Sequence, residues 1–418
     1  MKQILRMIVK RLLSFILVGL VLLTIPVVWY FSVGWQSLPQ QVPSTQQLYS
    51  PAFRRAADEA FTALKQAQQQ QSFPALTVSV AYQGQVLWTG GAGYADVEAK
   101  IAVNSESQFR IGSSSKAVTA TAIARAVAKG QLNLDAPISR YQPNLPNSLW
   151  EQFTMRQLLS HTAGLPGYDE NTDLSGVWQT LLKQKHFSDV DEALHLFDQA
   201  ELQYPPGQNF LYSSFDVNIA SSVLQHATQR PFLSYLAAEV TMPLQLTSLK
   251  AADEPYLHQV QFYQQQSNKR IKAHWPVDLS QKWASGGLAA SSKDLAKLGM
   301  AWLDPEFIPK AVQQQFWTKQ ALSNGEMNPQ NYALGWRVSR RNFFYCDDAH
   351  PLSKELTWVH HGGVSDGAQS WLVIYPEYQL VLAMNTNTVT EDFCTFAGQA
   401  AAVVRPFMRQ VAPELFSQ

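Results

Sequence analysis

An α/β fold in which the two ends of the chain complete one mixed sheet is predicted by three features of this 418-residue sequence. Apolar residues alternate through Ala75–Tyr82 and resume over 86–89 across a Gln83-Gly84-Gln85 turn, the pattern of an antiparallel hairpin. Strand-like runs return at 332–338, 356–360, 370–375 and 380–384. The stretch between these two groups reads mostly as helix and loop, so strands at both ends enclose helices.

The chain opens with Lys2, Arg6, Lys10 and Arg11, followed by an uncharged apolar run over 12–33 long enough to span a bilayer. A cleaved signal peptide ends its shorter apolar core at small residues, whereas this run continues through Pro26, Trp29, Tyr30 and Phe31. A retained anchor is therefore expected over 1–35. No positive charge follows it before Arg54, so the positive-inside rule leaves the N-terminus in the cytoplasm and the body outside, on the periplasmic face of a bacterial inner membrane. Residues 36–50, rich in Gln, Pro and Ser without apolar periodicity, read as a linker.

A helix is expected over 113–129, with Val118, Ala122, Ile123, Ala126 and Val127 on one face and Gly130 to stop it. Another is expected over 294–302, after Ser285-Gly286-Gly287. The 32 basic and 32 acidic residues cancel and no long run of one sign appears, which argues against a nucleic-acid partner. Two cysteines, Cys346 and Cys394, are too few for a disulfide scaffold and lack zinc-site spacing, so no metal or other cofactor is implied. Outside the cytoplasm they are compatible with one disulfide and equally with two buried thiols.

The chemistry centres on Phe109-Arg110-Ile111-Gly112-Ser113-Ser114-Ser115-Lys116, which contains the one Ser-x-x-Lys of the chain, at a turn that opens a helix. Residues three apart share a helix face, so the Lys116 amine can reach the Ser113 hydroxyl, and the helix N-terminus favours negative charge developing there. Such a tetrapeptide is common by composition, and its surroundings give it weight. Leu158-Leu159-Ser160-His161-Thr162-Ala163-Gly164-Leu165-Pro166, Tyr204-Pro205-Pro206-Gly207, Phe210-Leu211-Tyr212-Ser213-Ser214, Gly286-Gly287-Leu288, Leu334-Gly335-Trp336 and Val359-His360-His361-Gly362-Gly363 follow it in order. Together these segments, over about 70–400, resemble the serine β-lactamase-related family that includes class C β-lactamases, D-alanyl-D-alanine carboxypeptidases and related esterases.

The resemblance implies a β-lactamase/penicillin-binding-protein-like fold: an antiparallel sheet flanked by helices, built from 51–110 and 285–405, with a mainly helical part over 111–284 and the active site at their junction. It implies a serine hydrolase with Ser113 as acyl-accepting nucleophile and Lys116 and Tyr212 as candidate bases. Backbone amides of Ser113 and Gly363 would form the oxyanion hole, and Ser214, His360, Gly362 and Gly363 would line the site for a small-molecule or peptide-like substrate. Two departures bear on that substrate. Ser214 stands where the family usually has Asn, and one hydroxyl replaces an amide's donor and acceptor. His360 stands where many members have Lys, so a fixed cation for a substrate carboxylate is expected to be missing, and an ester, amide or unusual peptide substrate is favoured over β-lactams. His361 reads as a neighbour that packs or faces solvent.

Two other readings compete. Gly363-Val364-Ser365-Asp366-Gly367 fits the nucleophile elbow of α/β-hydrolases, but that elbow leads into a helix and needs a later His, whereas the last His is His361. A non-catalytic binder of cell-wall fragments is opposed by the intact Ser113, Lys116 and Tyr212.

Overall fold

The computed structural model of the chain describes residues 2–417. Helix α1 (Lys2–Ser32) contains a 21-residue apolar stretch, Lys10–Tyr30, long enough to cross a bilayer. The body contains β1 (Ser44–Leu48), α2 (Arg54–Gln71), β2 (Ala75–Tyr82), β3 (Gln85–Asp96), α3 (Ser115–Ala128), α4 (Leu174–Leu182), α5 (Ser214–Thr228) and α6 (Ser292–Ala301). It closes with β4 (Arg337–Arg341), β5 (Leu356–Ser365), β6 (Ala368–Tyr375), β7 (Leu380–Thr386) and α7 (Gln399–Val411).

The main sheet runs β1-β3-β2-β7-β6-β5-β4, with a two-residue strand, Ile101–Ala102, added to β3. Its ladders are all antiparallel, as the family likeness implied, and not mixed as periodicity alone indicated. Short connections are the reason: β5, β6 and β7 follow one another through turns at 366–367 and 376–379, too short for a parallel crossover. The β2–β7 ladder joins the two ends of the chain, pairing Leu76 with Thr386 and Tyr82 with Leu380.

Period-two alternation divides two cores. Leu372 and Ile374 of β6, with Val381 and Ala383 of β7, face the helical body around α3. Trp371, Val373, Tyr375, Leu382 and Met384 face the other way, under α2 and α7, which pack together there. A one-residue slip in either strand would exchange these two sets, so burial on both faces fixes the register.

Local departures from the sequence reading have physical causes. Part of the segment read as a linker joins the sheet: Ser44–Leu48 forms edge strand β1, and Gln36 exchanges backbone hydrogen bonds with Ile271 (2.9 and 2.8 Å). Because β1 leaves its Ser, Thr and Gln side chains exposed, it carries no apolar alternation to read. The strand expected from 332 begins at Arg337 because Gly335 turns the chain (φ +74°) and sits against α3, where a Cβ would lie 2.6 Å from that of Ala120. The helix expected from 113 starts with a 3-10 turn, Gly112–Ser114, before α3.

Candidate active site

Ser113 lies in that 3-10 turn, pressed against β5. Gly112 has φ +49°, and a Cβ on it would stand 2.4 Å from the Val364 carbonyl oxygen; on Gly363, a Cβ would stand 1.9 Å from that of Ile111. Glycine at both positions lets the Ser113 turn and the strand meet backbone to backbone. Ser370 of β6 donates to the Ile111 carbonyl (2.7 Å), and its oxygen lies 2.7 Å from Ser114 Oγ, so Ser114 donates there and pins the turn from below.

Lys116, on the first turn of α3, is fully buried. Its Nζ donates to Ser113 Oγ (3.3 Å), Ser214 Oγ (3.2 Å) and the Ser285 carbonyl (2.8 Å). Ser214 therefore holds the lysine. Tyr212 presents its ring 4.8 Å from Lys116 Nζ. Burial alone would raise the Tyr212 phenol, but Lys116, Arg337 and hydrogen bonds with Ser113 and Lys116 outweigh it and hold the phenol below its ordinary value.

The loop carrying Tyr212 is fastened by the 158–166 segment. The Leu211 amide donates to the His161 carbonyl (3.1 Å), and Ser213 Oγ donates to the Pro166 carbonyl (2.6 Å). The His161 ring packs 4.5 Å from that of Tyr212, and its Nδ1 lies 2.8 Å from Asp216 Oδ2 while accepting from the Ser213 amide (3.4 Å). Burial pushes the Asp216 carboxyl well up against the pull of Lys116; burial, Lys116 and Arg337 push His161 well down. Both shifts disfavour charge on the pair beneath Tyr212.

His360 faces the site but is not its cation. It stands among Trp371 (ring centroids 4.8 Å apart), Tyr345 (5.4 Å) and Trp358 (5.6 Å), and burial, with Arg337, pushes it down to about 3. The expectation that the cleft lacks a fixed positive charge is corrected by Arg337, whose position in β4 pairs with His360 in β5. Its guanidinium lies 5.2 Å from the Tyr212 ring and 5.1 Å from that of Tyr332 and donates to Gln330 Oε1 (2.6 Å). Among the described residues no carboxylate pairs with it. His361 is buried: its Nδ1 donates to the Gly362 carbonyl (2.7 Å), and its Nε2 accepts from the Tyr332 hydroxyl (2.8 Å).

Ser113, Tyr212, Arg337, His360, Gly362, Val364 and three aromatic rings line one cavity of about 300 Å³. The rings are Trp371, Tyr345 and Phe393, and the last two immediately precede Cys346 and Cys394, which are joined as a disulfide. Arg337, Tyr345 and Phe393 were not reached from the sequence. Arg337 directly follows Leu334-Gly335-Trp336, but its place opposite His360 depends on a strand register, and the two rings depend on the disulfide. Ser365 ends β5 and is followed by a two-residue turn and β6; no helix follows it, so the elbow geometry is absent.

A Ser-x-x-Lys turn packed on an antiparallel sheet, with a buried lysine and a tyrosine converging on one serine, defines a protein of the β-lactamase and penicillin-binding-protein class. The Beta-lactamase family model matches residues 60–404, and the chain belongs to that family. Human serine beta-lactamase-like protein LACTB, mitochondrial, is 26% identical over 410 residues, covering 78% of this chain and 73% of that one. Protein flp of Staphylococcus aureus is 26% identical over 324 residues, covering 75% of this chain and 60% of that one. Among solved structures, D-amino acid amidase from Ochrobactrum anthropi superposes with a TM-score of 0.68 at 20% identity, covering 84% of this chain and 99% of that one. The penicillin-binding protein homologue from Pyrococcus abyssi gives 0.65 at 18%, covering 86% and 80%. The structural likenesses show the shared fold.

Proposed function

We propose that this protein is a membrane-tethered serine hydrolase that works through an acyl-enzyme on Ser113 and cleaves an ester, amide or peptide-like bond outside the cytoplasm. The observation that carries this reading is Lys116 Nζ, buried and donating to both Ser113 Oγ and Ser214 Oγ, with the Tyr212 ring 4.8 Å away. Ser113 Oγ attacks the substrate carbonyl while Tyr212, as phenolate, takes the hydroxyl proton. Lys116 stabilises the phenolate, and the Ser113 and Gly363 amides receive the oxyanion. Tyr212 then returns the proton to the leaving group as its bond to the carbonyl carbon breaks. A water molecule repeats the sequence on the acyl-enzyme, giving free acid and restoring Ser113.

Arg337 sets the substrate class: a half-buried cation without a carboxylate partner favours a substrate carrying a carboxylate near the scissile bond, and the ring-lined wall favours an apolar group beside it. This same residue favours a second reading, a true β-lactamase or D-Ala-D-Ala carboxypeptidase, since both substrate types carry such a carboxylate. The name of the Ochrobactrum neighbour, D-amino acid amidase, fits an amide substrate. A turnover panel of a chromogenic cephalosporin, a D-Ala-D-Ala peptide with free and amidated C-terminus, and short-chain aryl esters tests the proposal. Turnover of any of these, lost in Ser113→Ala, supports it; folded protein inert to the whole panel and to covalent serine probes opposes it.

A further inference from the structure

We propose that α4 lies on the bilayer surface and seats the active-site mouth against lipid, a proposal that rests on reading α1 as a membrane anchor. The helix is inverted. Asp173 caps it by accepting from the Gly176 amide (3.0 Å), and Gly176 faces inward so closely that a Cβ would lie 1.7 Å from the Leu196 carbonyl oxygen. Its large apolar residues point outward: Leu174, Trp178, Leu181 and Leu182 are 75%, 64%, 64% and 63% exposed. At 100° per residue these four fall within one face opposite Gly176. A helix of a water-soluble body does the reverse, and a contiguous apolar face of this kind marks an interaction site.

The occupant is indicated by the chain's own span. The C-terminal end of α4 is tied to 276–278: the Asp278 amide donates to the Lys183 carbonyl (2.8 Å), and Gln184 Nε2 donates to the Pro276 carbonyl (3.4 Å). The adjacent Trp275, itself 42% exposed, packs 5.4 Å from Tyr30, the last residue of the apolar stretch. Lys272 Nζ sits 3.5 Å above the same ring, and Gln36 bridges to Ile271 just after α1. The C-terminal end of α4 is thus joined, through 275–278, to the end of the apolar stretch of α1. Tryptophan with flanking lysines, here Trp178 and Trp275 with Lys185 and Lys272, suits the headgroup boundary. The docked helix is also close to the site, since Lys183, at its C-cap, pairs with Asp366 (2.7 Å) in the turn that follows Val364 and Ser365. Substrates presented at the membrane surface would meet the cleft directly.

The test uses the full chain reconstituted in phosphatidylethanolamine/phosphatidylglycerol vesicles. Both native cysteines are disulfide-bonded, so Trp178→Cys, Leu181→Cys and, in the exposed turn at 324, Asn324→Cys can each take one nitroxide label. Labels at 178 and 181 are expected to be relaxed several-fold more by oxygen than by a water-soluble nickel chelate, relative to the label at 324. Nickel accessibility equal to that at 324 would overturn the docking, and so would shielding from both reagents, which would mean that protein covers the face. Release of the chain by alkaline carbonate would overturn the anchor and the docking together. Retention with water-exposed labels would overturn the docking alone.

Discussion

Arg337 of β4 stands opposite His360 of β5 in the strand register, and the two share one wall of the site. The guanidinium helps keep the imidazole neutral and at the same time supplies the charge that the imidazole lacks. Arg337→Gln is therefore expected to raise KM for carboxylate-bearing substrates by roughly 10- to 100-fold, the equivalent of losing one charge-assisted hydrogen bond of about 1.5–3 kcal/mol. Steady-state kinetics on a free and an amidated version of one peptide measure this: KM should rise for the free form alone, while any loss transmitted through Tyr212 is common to both forms.

His360→Lys, which would install the residue that many family members carry here, is expected to destabilise the protein. It would place an ammonium among Trp371, Trp358 and Tyr345, beside an existing guanidinium, without a counter-charge. An uncompensated buried charge costs about 3–5 kcal/mol, which thermal or urea unfolding would register.

The pH dependence follows from the Tyr212 phenol. In the proposed mechanism the phenol is deprotonated when it accepts the Ser113 proton, so kcat/KM should rise with pH along a limb centred below the ordinary phenol value. Removing a neighbouring cation raises a phenol's pKa, so Arg337→Gln should move the limb to higher pH. His360, held near 3, should contribute no titration between pH 5 and 8. Profiles on a chemically stable anilide check all three expectations, and a limb that moves to lower pH in Arg337→Gln would refute the electrostatic assignment.

The disulfide should act on the pocket wall as well as on stability. Replacing Cys346 and Cys394 by serine frees the segments that carry Tyr345 and Phe393, and Phe393 Cζ would lie only 2.4 Å from a Cβ at Gly362. We expect a stability loss of about 2–4 kcal/mol. KM should rise for substrates with an aromatic group and stay nearly constant for acetyl esters, a contrast that a parallel kinetic comparison would detect.

What could be read from sequence was local. Ser113 and Lys116 lie three residues apart at one helix start, so their meeting needs no tertiary information. Tyr212 was reached through its segment's resemblance to the family, because its approach to Lys116 depends on the 158–166 loop holding it in place. Arg337 needed the β4–β5 register and the Gly335 turn that starts β4 late, and neither leaves a periodic trace. The interior strands stood out as apolar runs, whereas β1, exposed and polar, did not.

The central claim is that Ser113 is the nucleophile, activated by Lys116 and Tyr212. Intact-protein and peptide mass spectrometry after incubation with a fluorophosphonate tests it most directly. The predicted result is a single adduct on the peptide containing Ser113, absent in Ser113→Ala and formed far more slowly in Lys116→Ala. A folded Ser113→Ala protein that still acquires the adduct, at Ser365 or elsewhere, would contradict the account.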